Sequence, residues 1–296
     1  MASRPVLSAG ATIACVAPAS PSYDSERVAA GLAALRAQGY DPIAPADRRD
    51  GHLAGSAEER AREFEDAFAD PEVDAVMCVR GGYGSGQLLP LIDLERIAAG
   101  GKPLIGMSDI THLQVPLAAA GGACLWGPML LKHGSAGEYT LASFREAVSG
   151  RPYSVRAAAA AAETIVSGRV RAPLTGGTTA VLCAMLGTPW ELDCEGRLLL
   201  LEDVCEEPYR TDRMLTQLSQ AGKLAAAAGF AVSEHHDCAP RNPERSQTLM
   251  QVLRRHLEPL GKPCLYGLPL GHGEDLASVP FGVPVDLDAG EALLRI

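Results

Sequence analysis

The chain has 296 residues, enough for about two domains of typical size, and 47% of them are hydrophobic, as in globular proteins. Its 26 basic and 36 acidic residues give a formal net charge of −10. Proteins that bind nucleic acids or anionic membranes carry an excess of basic residues, so the charge argues against both kinds of partner.

The N-terminal segment and the cysteines bear on the compartment. Residues Met1 to Gly10 contain one arginine and no sustained apolar run, which is unlike a secretory signal peptide. Apolar runs such as Leu198 to Leu201 are far shorter than the ~20 residues that span a bilayer. The eight cysteines include no Cys-x-x-Cys pair, which favours buried thiols over a disulfide framework or a zinc site. We therefore expect a cytoplasmic protein that binds small molecules.

Short apolar runs alternate with helical patterns in the first half of the chain. The predicted strands span residues 12–17, 41–44, 74–79 and 102–106. A helix is predicted over 25–38, with Asp24 as its N-cap and Gly39 at its end. A second begins at the capping-box sequence Ser56 to Glu59, and a third of about ten residues follows Thr111. This alternation predicts an α/β fold with a mostly parallel sheet flanked by helices.

The alternation of apolar strands and helical patterns weakens after residue 150 and then restarts in the second half. Residues 151–167 are alanine-rich without a clear helix face, which we interpret as a linker or crossover. The later predictions are strands over 170–174, 197–204 and 264–268, a turn at 175–178 that leads into an apolar helix, and a long helix over 211–228. We therefore predict an N-terminal α/β domain over 1–150 and a smaller C-terminal α/β domain over 168–296.

Ser108 lies in a sequence typical of a nucleophile elbow. The predicted strand ending at Gly106 is followed by Met-Ser-Asp and a helix, an arrangement that exposes a serine hydroxyl at the mouth of a sheet. The usual Gly-x-Ser-x-Gly is broken by Ile110, so Ser108 or Asp109 could instead only cap the helix. If Ser108 is a nucleophile, the Asp109 backbone amide is placed to donate to an oxyanion.

A glycine-rich turn follows another predicted strand. Arg80 to Gly86 contains four glycines in seven residues, so its backbone can approach a ligand closely. The Gly-x-Gly-x-x-Gly and Gly-Lys-Ser/Thr patterns of nucleotide sites are absent. A second oxyanion donor for Ser108 is the preferred interpretation, and an ordinary turn is the alternative.

The second half supplies candidate acids and bases. Glu202 and Asp203 end a buried strand, and because side chains alternate along a strand only one of them can reach a given site. His272 lies between two glycines after a strand, where a short loop could present its imidazole. Adjacent His235 and His236 diverge on a strand, so a metal site there is disfavoured. The order Ser108, carboxylate, His272 is one that serine hydrolases use.

These motifs together resemble the LD-carboxypeptidases, a family of serine peptidases that includes the microcin C immunity peptidases. The resemblance covers nearly the whole chain. Its landmarks are Val16-Ala-Pro-Ala-Ser20, Arg80-Gly-Gly-Tyr-Gly84, Leu104-Ile-Gly-Met-Ser-Asp-Ile-Thr111, Gly176-Gly-Thr-Thr179, Leu186-Gly-Thr-Pro189, Leu201-Glu-Asp-Val204, Tyr209-Arg-Thr-Asp-Arg-Met-Leu215 and Gly267-Leu-Pro-Leu-Gly-His272. The sequence departs from the family at Met107, where an aromatic residue is common, and over 231–240, where a more apolar strand is usual.

The resemblance implies a triad of Ser108, His272 and Glu202, and it selects Glu202 over Asp203. It implies an oxyanion hole from the backbone amides of Asp109 and Gly82. Gly81 and Tyr83 of the same turn are expected to contact substrate. No metal and no organic cofactor is implied, and the family is usually homodimeric.

By the same resemblance, the expected reaction is cleavage of the L,D amide bond that releases the terminal D-alanine from murein tetrapeptides. One alternative is a microcin-type peptidase that cleaves peptidyl adenylates, although only 5% of the residues are aromatic and could stack a nucleobase. Another is a non-catalytic small-molecule binding protein of two α/β domains, in which Ser108 only caps a helix.

Overall fold

The computed structural model describes residues 3–158 and 162–296. It divides into two compact units. The first runs to Arg151 and also includes Ala277–Gly282, and the second contains Pro152–Leu276 and Val283–Ile296. Each unit has its own sheet, as the α/β prediction requires.

The elements are numbered in chain order. The strands are β1 Thr12–Val16, β2 Asp41–Ile43, β3 Ala75–Cys78, β4 Leu104–Gly106, β5 Cys124–Trp126, β6 Ser154–Arg156, β7 Glu163–Val166, β8 Arg169–Thr178, β9 Leu198–Glu202, β10 Gly229–Ser233, β11 Cys264–Leu268, β12 Val279–Phe281, β13 Pro284–Asp288 and β14 Leu293–Arg295. The α-helices are α1 Ser25–Ala37, α2 Ala57–Ala69, α3 Leu94–Ala99, α4 Thr111–Ala119, α5 Leu130–His133, α6 Glu138–Ala147, α7 Thr179–Met185, α8 Pro208–Gln220, α9 Lys223–Ala226 and α10 Leu249–Leu257. In the described ranges, every helix is too short or too polar to cross a bilayer.

The first sheet is mostly parallel, and its strand order is β12-β5-β4-β3-β1-β2. Strands β1 to β5 pair in parallel, and β12 adds antiparallel to β5 at the edge. The predicted helix starts are confirmed: the Asp24 side chain accepts from the N–H of Arg27, and Ser56 forms a reciprocal capping box with Glu59. Because β1, β3 and β4 run parallel, the loops that follow them leave the same carboxyl edge of the sheet.

The second sheet is mixed, in the order β6-β14-β13-β8-β9-β10-β11-β7. Its centre, β8 to β11, is parallel, and the outer strands pair antiparallel. The four leucines 198–201 of β9 are at most 1% exposed, as in a parallel strand covered on both faces. Both sheets thus confirm the predicted fold class.

The predicted linker over 151–167 is wrong in its described part. Strand β6 pairs with β14 and β7 with β11, so this segment completes both edges of the second sheet. Residues 159–161 of the segment lie outside the described residues. The predicted second domain over 168–296 also differs, because β12 pairs with β5 and so returns Ala277–Gly282 to the first unit.

Two further predictions in the second half are corrected. The turn predicted at 175–178 is the end of β8, in which Gly176 and Gly177 adopt φ values of +119° and +135° and pair with β9. A side chain at Gly176 would collide with the Leu200 carbonyl, so the strands approach closely only because glycine is there. The long helix predicted over 211–228 is divided into α8 and α9 because Gly222 is left-handed, with φ +75°.

Candidate active site

Ser108 sits on a strained turn between β4 and α4. Its φ is +62°, a left-handed value that costs a serine about 1 kcal/mol or more, and the side chain is half-buried. Residues Ser108–Ile110 form one short 3₁₀ turn that continues into α4. The second elbow glycine is replaced by Ile110, whose side chain packs against Gly106: a Cβ there would come within 2.9 Å of it. The local geometry is therefore that of a nucleophile elbow, with Ile110 filling the space over the strand end.

The turn after β3 packs directly on this serine. A Cβ on Gly81 would lie 3.0 Å from Ser108 Cβ and 3.1 Å from its Oγ, so the contact requires glycine. Gly82 is exposed and has φ +105°, and a side chain there would collide with Ser20. The Tyr83 N–H donates to Ser20 Oγ at 3.2 Å, which joins this turn to the turn after β1.

Asp109 joins the elbow to the same turn. The N–H of Ser85 donates to Asp109 Oδ2 at 2.9 Å, and the Ser85 hydroxyl donates to the Asp109 carbonyl at 2.6 Å. His112 Nδ1 lies 3.5 Å from Asp109 Oδ1. Burial alone would raise the pKa of the Asp109 carboxyl, but the hydrogen bonds from His112 and Ser85 outweigh it and hold that pKa below its usual range. The ionised Asp109 side chain thus holds Asp109 in place, and with it the backbone N–H that directly follows Ser108.

In the second unit, Glu202 and His272 form a hydrogen-bonded pair. Glu202 Oε1 lies 2.6 Å from His272 Nδ1, and the carboxylate is fully buried while the imidazole is 24% exposed. The Thr178 hydroxyl donates to Glu202 Oε2 at 2.7 Å, because β8 and β9 place the two residues side by side. Gly271 lets the histidine loop approach the backbone that follows β10, since a Cβ there would lie 2.6 Å from the Glu234 carbonyl oxygen. A carboxylate on Nδ1 orients the ring and makes Nε2 its basic nitrogen.

Asp203 has different partners from Glu202. Its Oδ2 accepts from the N–H of Ala180 at 3.0 Å, at the start of α7, and its Oδ1 accepts from the N–H of Val204 at 3.1 Å. Burial, and then the charge of Glu202, raise the pKa of Asp203 to about 7. Asp203 is therefore a helix-capping carboxyl, and Glu202 is the acid next to a histidine.

The other candidate side chains, Tyr83, His235 and the cysteines, differ in their exposure to solvent. Tyr83 is 56% exposed, and its ring lies 5.5 Å from that of His52. His235 is buried with Nδ1 3.1 Å from the Ser233 carbonyl, and burial lowers its pKa. Among the described residues, no three His, Cys, Asp or Glu side chains cluster as metal ligands. Most cysteines are buried as expected, but Cys205 is exposed and has φ +59°.

Several residues that hold these groups in place were not predicted from the sequence. Thr178 and Ser20 each lie in one of the segments that carry the family resemblance, and nothing else in the sequence points to them. Arg60 is fully buried on the apolar face of α2, where its spacing from Phe64 and Phe68 placed it on the same side. That spacing could have identified Arg60 as an internal charge.

Two family models match the chain. The LD-carboxypeptidase N-terminal domain matches residues 13–127, and the LD-carboxypeptidase C-terminal domain matches residues 171–287. A relative from Bacillus subtilis (strain 168), named "Probable murein peptide carboxypeptidase", is 35% identical over 291 residues, which cover 96% of this chain and 91% of the relative.

Solved structures are similar over the same extent. The crystal structure of muramoyltetrapeptide carboxypeptidase from Oxalobacter formigenes has a TM-score of 0.86 and 29% identity, and the match covers 96% of this chain and 97% of that one. The microcin C7 self-immunity protein MccF of Escherichia coli has a TM-score of 0.89 at 21% identity, covering 99% and 97%. The second similarity shows a shared fold.

Proposed function

Since the chain belongs to the LD-carboxypeptidase family, we propose that it hydrolyses the L,D amide bond that releases the terminal D-alanine from murein tetrapeptides. Family membership makes the protein a carboxypeptidase of the hydrolase class. The names of the relatives at 35% and 29% identity, which refer to a murein peptide and to a muramoyltetrapeptide, support the substrate. The bond between Glu202 and His272 is the observation that carries the proposal, because a buried carboxylate on Nδ1 prepares an imidazole for proton transfer.

In the proposed first step, Ser108 is the nucleophile and His272 is the general base. The Ser108 hydroxyl oxygen forms a bond to the scissile carbonyl carbon while its proton passes to Nε2 of His272. Glu202 remains ionised and stabilises the imidazolium. The carbonyl oxygen becomes an oxyanion, which accepts hydrogen bonds from the backbone N–H groups of Asp109 and Gly82.

Collapse of this intermediate breaks the amide bond. The imidazolium gives its proton to the leaving nitrogen, D-alanine departs, and the peptide remains as an ester on Ser108. Water then attacks the ester carbonyl carbon and gives a proton to His272 Nε2. The bond to Ser108 Oγ breaks, the imidazolium returns the proton to Oγ, and the shortened peptide leaves with a new terminal carboxyl group. Gly81 and Tyr83 line the substrate side of the turn in this proposal. Besides substrate and water, the proposed steps use side-chain and backbone groups of the protein.

The setting of the reaction follows from the same family assignment. We propose that the substrate is a tetrapeptide released during cell-wall recycling, that hydrolysis takes place in the cytoplasm, and that the enzyme is a homodimer. Light scattering coupled to size-exclusion chromatography measures the oligomer directly, and a mass of one chain over the working concentration range would contradict the dimer.

The reaction is tested by mass spectrometry of murein tetrapeptide after incubation with the protein. We expect loss of one alanine with wild type, and loss of nearly all turnover in folded Ser108→Ala and His272→Ala proteins. Glu202→Gln should cost less, because serine and base remain. A folded Ser108→Ala protein with wild-type turnover would refute the assignment of Ser108 as the nucleophile. Cleavage of a peptidyl adenylate but not of tetrapeptide would show that the substrate is a peptidyl adenylate.

A further inference from the structure

Helix α2 carries an arginine on its buried face. Arg60 is 0% exposed, and it lies four residues before Phe64 and eight before Phe68, which are also buried. Removing a guanidinium from water is costly unless its donors are satisfied. Its four described hydrogen bonds all go to neutral oxygens. The positions of those oxygens therefore indicate what the buried charge organises.

The guanidinium joins two turns at the carboxyl edge of the first sheet. Nη1 donates to the Pro18 carbonyl at 2.6 Å and to the Gly84 carbonyl at 2.8 Å. Pro18 follows β1 and Gly84 follows β3. Nε donates to the Gly55 carbonyl at 3.1 Å, and Nη2 donates to Gln87 Oε1 at 2.6 Å, so the planar fork is held in one orientation.

The turn after β3 is bound from its other side by the serine elbow. Ser85, next to Gly84, donates both its N–H and its hydroxyl to Asp109. At the start of the same turn, Gly81 packs against Ser108. Gly84 has φ +110°, and a Cβ there would lie 3.3 Å from Arg60 Nη1, so the turn approaches the arginine without a side chain between them. Residues 81–85 are thus fixed between Arg60 and the elbow.

We propose that Arg60 is a positioning residue for hydrolysis: it holds the turn of residues 81–85 so that the Gly82 N–H meets the oxyanion formed from the substrate carbonyl. This inference rests on the proposed function. Arg60 acts through the backbone and does not touch substrate. Without its side chain, the carbonyls of Pro18 and Gly84 lose their shared donor and the turn can move away from the elbow.

A positioning role and a merely structural role predict different kinetics. Loss of an oxyanion donor, or its displacement by about 1 Å, lowers the rate of the chemical step by about 100-fold and leaves ground-state binding nearly unchanged. We expect Arg60→Met to lower kcat by about 100-fold while KM stays within about 3-fold. Arg60→Lys keeps the charge but cannot reproduce the fork, so we expect at least a ~10-fold loss of kcat.

The matched control is Phe64→Leu, on the same face of α2. It removes buried apolar volume but no hydrogen bond, and it should lower the urea midpoint while kcat stays within about 3-fold of wild type. Equal losses of kcat in Arg60→Met and Phe64→Leu proteins of matched stability would overturn the proposal. If Arg60→Met does not fold, a stable Arg60→Lys protein with wild-type kcat overturns it.

Labelling with a fluorophosphonate separates this proposal from the reaction on which it rests. The phosphoryl oxygen of the probe takes the oxyanion position when the serine is phosphonylated, so labelling requires the turn but no tetrapeptide. We expect Ser108 to be labelled in wild type and about 100-fold more slowly in Arg60→Met. Wild-type labelling without release of D-alanine would refute the proposed substrate alone. Equal labelling rates in wild type, Arg60→Lys and Arg60→Met, with tetrapeptide hydrolysed by wild type, would refute the role of Arg60 alone.

Discussion

Glu202 Oε1 lies 2.6 Å from Nδ1 of His272, and no part of the Glu202 side chain is exposed to solvent. A buried carboxylate is stable only when hydrogen bonds replace its water. His272 supplies one such bond, and the Thr178 hydroxyl supplies another to Oε2. The orientation of the imidazole therefore depends on a threonine of the neighbouring strand as well as on the glutamate.

Thr178→Val should weaken this pair without changing the volume of the side chain. It leaves Oε2 without the Thr178 donor, so we expect a loss of about 1–3 kcal/mol in the free energy of unfolding. A less firmly held carboxylate also orients His272 less well, and kcat for D-alanine release should fall by about 10-fold. Urea denaturation and steady-state kinetics measure the two effects.

Thr179→Val is the matched control for this prediction. The Thr179 hydroxyl donates to the backbone carbonyl of Glu202 at 3.0 Å and not to its carboxylate. We expect a comparable loss of stability but a kcat within about 2-fold of wild type, since the carboxylate is unchanged. The same kcat in Thr178→Val and Thr179→Val would show that the bond to Oε2 does not orient the histidine.

The strained backbone at Ser108 predicts an ordering of stabilities. At φ +62° an alanine keeps the left-handed penalty, whereas glycine removes it but gains freedom in the unfolded chain. We expect Ser108→Gly to be more stable than Ser108→Ala by about 1 kcal/mol, with both proteins inactive. Chemical denaturation of the two variants tests this, and equal stabilities would mean that the left-handed penalty at this position is no larger than the freedom that glycine gains in the unfolded chain.

Gly81→Ala tests whether the turn must touch the serine. The added methyl group would lie 3.0 Å from Ser108 Cβ and 3.2 Å from the Asp109 nitrogen, so the turn or the elbow has to shift. We expect kcat/KM to fall by about 100-fold with a loss of about 1–3 kcal/mol in stability. Gly137→Ala is the control, because a Cβ there has nothing within 4 Å. Equal activity in the two variants would contradict the assignment of this turn to the site.

The elements that were predicted correctly are those with signals inside a few residues. The cap of α1 by Asp24 and the capping box of Ser56 join groups three residues apart, so sequence spacing contains the whole interaction. The strand, sharp turn and helix around Ser108 were predictable for the same reason, since they follow each other directly. Local structure confined to one segment can thus be predicted from the sequence.

Contacts that depend on strand pairing could not be predicted from local sequence. Strand β12 belongs to the first sheet although more than 150 residues separate it from β5, and nothing local marks that partner. Thr178 was missed because its bond to Glu202 follows from the register between β8 and β9. Arg60 was missed because composition treats arginine as a surface residue, although its spacing from Phe64 placed it inside.

Asp203 makes folding stability depend on pH in a predictable direction. Its pKa is about 7 in the folded protein, raised by burial and by the charge of Glu202, against about 3.9 in an unfolded chain. Between these values the folded state binds a proton that the unfolded state has lost. The stabilising contribution is therefore complete below about pH 4, decreases as pH rises, and is lost above about pH 7, with a slope of up to about 1.4 kcal/mol per pH unit.

Replacing the carboxyl by an amide removes this titration. We expect Asp203→Asn to lack the decrease of unfolding free energy between pH 5 and pH 7 that wild type shows, while Asp66→Asn, at an exposed position of α2, keeps the wild-type slope. Urea denaturation of the three proteins at half-unit pH steps gives the slopes directly. Because the asparagine carbonyl can still accept from the N–H of Ala180, the variant should fold. Parallel pH profiles for wild type and Asp203→Asn would mean that Asp203 is ionised throughout this range and that its burial is compensated by the amides of Ala180 and Val204.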